Sequence, residues 1–338
     1  VTATENSALP DLPAALGLDA ADPQLVQRVV AGLGRVEELL RSVVHSDVDF
    51  VDQAALHLVK AGGKRFRPLF TLLSAEFNAG QTEQVVAAAA AVELVHLATL
   101  YHDDVMDEAT MRRGETSANA RWDNSIAILT GDFLFAHASM LVADLGPEAT
   151  RIIAETMREL VTGQMRETVG ARDEDPVEHY LGVIGQKTGS LIATSGRFGG
   201  MFSGAPAEQV AALHRFGEVI GAAFQISDDV IDIASPAAES GKTPGTDLRE
   251  GVKTLPMLYA LQDGADDRLV ALLAGPIHAD AEVEEALELL RRSSGLERAR
   301  KTLDSYVDRA TTELAALPPG EANDALRELT RYVVDRTR

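Results

Sequence analysis

Asp103, Asp104 and Asp107, in the stretch "LYHDDVMDEATMRRG" from residue 100 to 114, gather three carboxylates just ahead of Arg112 and Arg113. On a helix, residues four apart share a face, so Asp103 and Asp107 project together with Asp104 about 100° round. The same spacing recurs at Asp228, Asp229 and Asp232 in "FQISDDVIDI". A lone motif of this kind in an acidic chain reads as a solvated helix end. Two copies, each closing a strongly apolar segment where the helix dipole disfavours anions, need a compensating cation. At ~4 Å two carboxylates repel by about 4 kcal/mol even at an effective dielectric near 20, so two sets confronting each other across a cavity demand divalent metal. Oxygen donors in a chain without cysteine select Mg²⁺ or Mn²⁺ over zinc.

Mg²⁺ held by one or two carboxylates completes its shell with water and substrate phosphate, which makes nearby cations informative. Lys64, Arg65 and Arg67 in "GGKRFRP" sit on a Gly-rich turn whose free backbone N–H groups suit a diphosphate. Arg112 and Arg113 adjoin the first acidic set. Basic loops are ordinarily solvated surface, but two of them beside suspected metal sites favour anion capture.

The elements that must position these groups are helical. "PQLVQRVVAGLGRVEELLRSVV" has apolar residues at three- and four-residue spacing, and "QTEQVVAAAAAVELVHLATLYHDDVMDEA" is apolar on most faces, as in a buried helix. Later segments behave alike and strand-like alternation is scarce. The expectation is an all-α, single-domain bundle of about ten or more helices, from residue 23 to 338, after a lead-in over residues 1–22. Gly and Pro mark breaks at "AGGKRFRP", "RRGETSANARWDN", "ARDEDP", "FSGAPAE" and "LPPGE", and a longer one over 235–256.

Composition narrows the partners. The chain of 338 residues carries a net charge of −21, which argues against nucleic acid or an anionic membrane. It has no cysteine for disulfides or thiol chemistry. The N-terminal stretch lacks the layout of a signal peptide and no uninterrupted apolar run suggests a bilayer span, so the expected location is cytoplasmic.

With "GGKRFRP", "ELVHLATLYHDDVMDEATMRRG", "GQKTGSL", "FQISDDVIDI" and "GKTPGTDLREGVKTLP" in this order, the chain resembles the trans-prenyl diphosphate synthases, or polyprenyl synthetases, from about Pro23 to its end. The resemblance implies the isoprenoid synthase fold, helices around a deep central cavity. It implies that Asp103 and Asp107 bind Mg²⁺ bridging an allylic diphosphate, with Asp104 supporting, and that Asp228 and Asp232 bind a further ion. About three Mg²⁺ per active site are then expected, with Mn²⁺ possible. Lys64, Arg67, His96 and Arg113 would hold isopentenyl diphosphate; Arg112, Lys187, Thr188, Gln225 and Lys242 would contact the allylic partner. Both aspartate sets, Asp229 included, together with Lys187 form the implied catalytic group. His96 lies two turns before Asp103 on nearly the same face.

The implied chemistry is electrostatic: metals and cations stabilise the leaving diphosphate, the allylic C–O bond ionises, the double bond of isopentenyl diphosphate attacks, and proton loss follows. No side chain stands out as general base; the released diphosphate takes that role in the family's usual account. Product length in the family follows bulk below the first acidic set, here Ala98 and Thr99. This small pair implies a long product of about C30–C50, with Phe133, Phe135 and Met140 as candidates for the cavity floor. One departure is Val252 where many members place Lys, with Lys253 one residue later; Asp247 is retained beside it. A short-chain synthase of farnesyl or geranylgeranyl type, a class I terpene cyclase and a subunit of a heteromeric synthase are the competing readings. A homodimer is implied, with an accessory subunit open.

Overall fold

The computed structural model describes residues 18, 20–234 and 244–337. The first helix, α1 (Pro23–Val43), starts where Asp22 accepts hydrogen bonds from the Gln24 and Leu25 amides at 2.8 and 3.1 Å, a cap worth about 1 kcal/mol. Leu25, Val29, Leu33, Val36 and Leu40 form its buried stripe, as their spacing requires. Of the expected lead-in over residues 1–22, all but Leu18 and residues 20–22 lie outside the described residues.

The helices gather into two units, one formed by Val1–Met157, Leu191–Arg215 and Ala316–Glu328, the other by Arg158–Ser190, Phe216–Ala315 and Leu329–Arg338. In the first, α1 is followed by α2 (Asp49–Lys60), α3 (Phe66–Ala75) and α4 (Glu83–Met106). α4 is enclosed on nearly all faces, which explains its run of Ala, Val and Leu. Tyr101 on α4 donates to the Ala54 carbonyl at 2.6 Å and accepts from the Leu58 amide at 3.2 Å, fastening α4 to α2. A short hairpin, β1 (Met111–Arg112) and β2 (Glu115–Thr116), and a single turn of helix, α5 (Ala118–Arg121), lead to α6 (Asn124–Asp144). α6 approaches α4 so closely that a Cβ on Gly131 would fall 2.3 Å from His102 Nε2.

By length and composition α4 and α6 could cross a membrane, but each run is interrupted by a carboxylate, Glu93 and Asp132, so neither is the uninterrupted apolar run whose absence was expected. α4 is apolar because it is a core helix, 72% buried over its most apolar stretch, whereas that of α6 is 33% buried.

α7 (Pro147–Val169), α8 (Pro176–Ile184), a π-helical turn (Gly185–Gly189), α9 (Ser190–Phe202) and α10 (Ala207–Ala234) follow. In the second unit the π turn packs against α7 at Gly163, where a Cβ would lie 2.7 Å from the Lys187 amide nitrogen. Part of the long break expected over 235–256 is helical: α11 (Thr246–Glu250) stands between Gly245 and Gly251, both left-handed, at φ 76° and 74°. Then come α12 (Leu255–Gln262), α13 (Asp267–Leu272), α14 (Asp280–Arg292), α15 (Ser294–Ala315) and α16 (Glu321–Asp335). The all-α expectation holds: the two-residue strands of the hairpin are the only strands among the described residues.

Candidate active site

Within the first unit, the acidic end of α4 divides its three carboxylates between core and solvent. Asp104 is fully buried and accepts from Arg112 Nε at 2.6 Å, while its other oxygen, Oδ2, is buried without a hydrogen-bond partner. Burial pushes its carboxyl above the usual range, against the pull of Arg112. Asp107 is the exposed C-cap of α4, with Arg112 Nη2 4.0 Å away. Asp103 is half-buried between them. Arg112, expected at the allylic substrate, is thus engaged by the carboxylates it follows.

The hairpin explains how Arg113 is delivered. Met111 pairs with Thr116 and Arg112 with Glu115, and the two-residue turn needs positive φ at both positions, met by Arg113 at 54° and Gly114 at 81°. His57 on α2 anchors the hairpin through the Thr116 carbonyl at 2.8 Å. The Arg113 side chain then runs back over Gly63 to donate to the Gly62 carbonyl. A Cβ at Gly63 would sit 2.9 Å from the guanidinium carbon, so the glycine makes room for that arginine.

"GGKRFRP" splits its cations. Arg65, at φ 48°, begins α3 and turns inward, 4% exposed, donating to Glu37, to Glu93 Oε1 at 2.8 Å and to the Val59 carbonyl at 2.8 Å. Its donors serve the protein. Lys64 is exposed, and Arg67 is half-buried with a buried Nε that has no partner. Burial lowers Arg67 to about 10, with Arg113 adding repulsion. His96 is held well below its ordinary value by burial and by Arg67, Arg113 and their neighbours. Lys64, Arg67, His96 and Arg113 therefore belong to one unit, and Arg67, His96 and Arg113 form one charge cluster with Glu93. Glu93, a lone carboxylate amid the apolar turns of α4, had passed unremarked in the sequence; its position in that run was the available signal.

In the second unit the other acidic run is likewise divided. Asp228 is exposed and paired with Arg336 beyond α16. Asp229 is 3% exposed and accepts from the Tyr180 hydroxyl and from Gln225 Nε2 at 3.1 Å. Burial lifts it to about 7, against those two hydrogen bonds. Asp232 accepts from the Thr246 and Asp247 amides at 3.1 and 3.3 Å, fixing the start of α11. Tyr180 and Arg336 carried no mark in the sequence.

A cavity of about 790 Å³ opens in this unit. Lys187, Thr188, Gln225, Asp229, Asp247 and Lys253 form its polar wall, and Val183, Ile184 and Leu258 an apolar one. Lys187, on the π turn, pairs with Glu167 Oε2 at 2.5 Å. Thr254 starts α12 at the cavity wall with a buried hydroxyl that has no partner. Lys253 lines the cavity despite its displacement by one residue, beside Val252, which lines it as well and is 41% exposed. Lys242 lies outside the described residues.

Ala98 is fully buried and its carbonyl faces Gly131 across the α4–α6 contact; Thr99 is half-buried and donates to the His96 carbonyl at 2.8 Å. Phe133 packs on His137 and Phe135 on His102, whereas Met140 is 64% exposed. Among the described residues no three His, Asp or Glu side chains converge as a ready-made metal cage. An ion that takes one or two carboxylates and completes its shell with phosphate needs none: in the first unit the half-buried Asp103 and the exposed Asp107, and in the second the exposed Asp228, are carboxylates of the kind such an ion takes.

In the first unit a carboxylate-ended helix stands beside clustered guanidinium groups, and in the second a carboxylate-bearing helix lines a half-apolar cavity; each is suited to a phosphorylated apolar molecule. The chain belongs to the polyprenyl synthetase family, whose profile matches residues 48–290. It is 56% identical over 324 residues to the nonaprenyl diphosphate synthase of Mycobacterium tuberculosis (strain ATCC 25618 / H37Rv), covering 95% of this chain and 97% of that one. Among solved structures it resembles geranylgeranyl pyrophosphate synthase from Corynebacterium glutamicum complexed with calcium and isoprenyl diphosphate, at 50% identity and a TM-score of 0.84, over 94% of this chain and 98% of that one. It also resembles a decaprenyl diphosphate synthase from Rhodobacter capsulatus, at 35% identity and a TM-score of 0.84, over 93% and 99%.

Proposed function

We propose that the chain is a long-chain trans-polyprenyl diphosphate synthase, a prenyltransferase that adds isopentenyl diphosphate units to an allylic diphosphate. The observation that carries this reading is the cluster of Arg67, His96 and Arg113 behind the acidic end of α4, with a buried Arg67 Nε left for an incoming acceptor. Lys64, Arg67, His96 and Arg113 bind the isopentenyl diphosphate group. His96, kept neutral by its surroundings, supplies one N–H donor without crowding a further charge among the arginines. Lys187, Thr188, Gln225 and Lys253 receive the allylic diphosphate at the polar wall of the cavity in the second unit.

Asp103, Asp107, Asp228 and Asp232 are the proposed ligands of Mg²⁺, about three ions per active site, with Mn²⁺ as substitute. When bound, the metal neutralises charge on the leaving diphosphate. Asp104 holds Arg112 in place, and Asp229 is held by Tyr180 and Gln225. The relatives' names include both long-chain and geranylgeranyl products, so the long-chain assignment rests on the small pair Ala98 and Thr99. A geranylgeranyl-type synthase is the second reading, favoured by the 50% identical structure.

A homodimer is proposed on the face of α6 that carries Leu129, Ala136 and Met140, where Leu129 and Met140 are 61% and 64% exposed. Incubation with isopentenyl diphosphate, Mg²⁺ and a farnesyl or geranylgeranyl starter, with products sized by mass spectrometry, tests the function. A ladder reaching about C30 or beyond is expected. One that stops at C20 supports the second reading, and no condensation at all refutes both.

A further inference from the structure

The first unit crowds Arg65, Arg67, Arg113 and His96 together, with Arg112 felt at longer range, and like charges at such closeness must be held by something. Two carboxylates face them from neighbouring elements: Glu37 on α1 and Glu93 on α4. Glu93 is the central one. It is 1% exposed in an otherwise apolar stretch of helix, accepts from Arg65 Nη1 at 2.8 Å, and lies 3.7 Å from Arg113 Nη2 with the same oxygen. Its charge also supports Arg67.

Those arginines stand on two separate segments, each with a non-glycine residue in the left-handed region: Arg65 at φ 48° opening α3, and Arg113 at φ 54° on the hairpin tip. Such conformations persist only where surrounding contacts impose them. The single carboxylate of Glu93 touches both. Directly C-terminal to Arg65 comes Phe66 and then Arg67, whose direction follows from where Arg65 anchors the helix start. A carboxylate would repel a diphosphate, yet Glu93 is 1% exposed and its charge is offset by the two guanidinium groups that its oxygen meets.

We propose that Glu93 is the positioning residue of the isopentenyl diphosphate clamp: acting through Arg65 and Arg113, it fixes the Gly-rich loop and the hairpin tip so that Arg67 and Arg113 meet one diphosphate. The proposal rests on the reading that Lys64, Arg67, His96 and Arg113 hold that substrate.

Steady-state kinetics and hydrogen exchange on the full chain test it, using Glu93→Gln, Arg65→Gln, their double variant and Arg67→Gln. In Glu93→Gln the KM for isopentenyl diphosphate rises about tenfold or more, while the KM for the allylic starter and kcat stay within about threefold, the loss expected when a charge-assisted contact is removed. Amides of residues 61–67 and 111–116 exchange faster, and those of α6 do not. Arg65→Gln raises the same KM by a smaller factor, since Glu93 keeps its hold on Arg113, and the double variant is no worse than Glu93→Gln, which already lacks the Arg65 contact. An isopentenyl diphosphate KM within twofold of the parent, or equal rises in both KM values, overturns the proposal.

If Glu93→Gln fails to fold, Arg65→Gln carries the same two kinetic criteria. Arg67→Gln separates the two claims: unchanged KM there refutes the clamp itself, whereas a raised KM there with an unchanged one in Glu93→Gln refutes only the role of Glu93.

Discussion

The Tyr180 hydroxyl donates a hydrogen bond to the buried carboxylate of Asp229, which Gln225 Nε2 holds from the other side at 3.1 Å. Tyr180 lies on α8 and Asp229 on α10, so the bond fixes one helix of the cavity wall against the other. Removing a donor from a buried carboxylate costs about 1.5–3 kcal/mol. Tyr180→Phe is therefore expected to lose about that much stability in urea unfolding, and kcat with it. Unchanged stability would show that the bond contributes nothing.

His96 sets a pH dependence. Its folded-state pKa lies well below 6.5, so the unfolded chain binds the extra proton first as pH falls. The sign follows: this stability is present above pH 6.5 and is lost below it, at up to about 1.4 kcal/mol per pH unit. Melting temperatures from pH 8 to 5 are expected to fall less in His96→Gln than in the parent chain. Parallel curves for the two would contradict this.

Ala98→Phe puts a ring at a fully buried position, at an overpacking cost of about 1–3 kcal/mol. If the small pair below Asp103 leaves room for a growing chain, the product shortens by at least one isoprene unit. Mass spectrometry reads the product and a melting curve confirms folding. An unchanged ladder from a folded variant removes the argument for long products.

Arg336 occupies one oxygen of Asp228, and a metal on that carboxylate must displace it. The carboxylate is 48% exposed, so the ion pair is worth no more than about 1 kcal/mol, or about fivefold in affinity. Arg336→Gln should lower the Mg²⁺ concentration for half-maximal thermal stabilisation by up to that factor. A rise in that concentration would mean that Arg336 assists the ion.

Leu129→Glu places a charge on the exposed apolar stripe of α6. Light scattering is expected to show loss of a dimer, with the circular dichroism spectrum of the parent retained. A dimer of undiminished stability would move the interface elsewhere.

The helical periodicity of α1, the enclosed character of α4, the two aspartate runs and the Gly-rich cationic turn were all legible in the sequence. Each depends on local spacing, and helix geometry turns spacing into faces without reference to the rest of the chain. The polyprenyl synthetase resemblance had the same basis, since it rested on short motifs in a fixed order. Tertiary structure alone decided which of two adjacent like residues faces inward. Asp104 and Asp229 are buried where Asp103 is only half-buried and Asp228 is exposed, and Arg65 turns into the protein to pair with Glu93 where Arg67 has a buried nitrogen without a partner. Neighbours on a helix or turn point about 100° apart, and the side that becomes buried is set by elements distant in sequence. Glu93 meets Arg65 and Arg113 only because three separated segments fold onto one another, and the hairpin behind Arg113 needs His57 to hold it. A charge pair of that kind leaves no periodic trace in the chain, because its partners are brought together by packing and not by spacing.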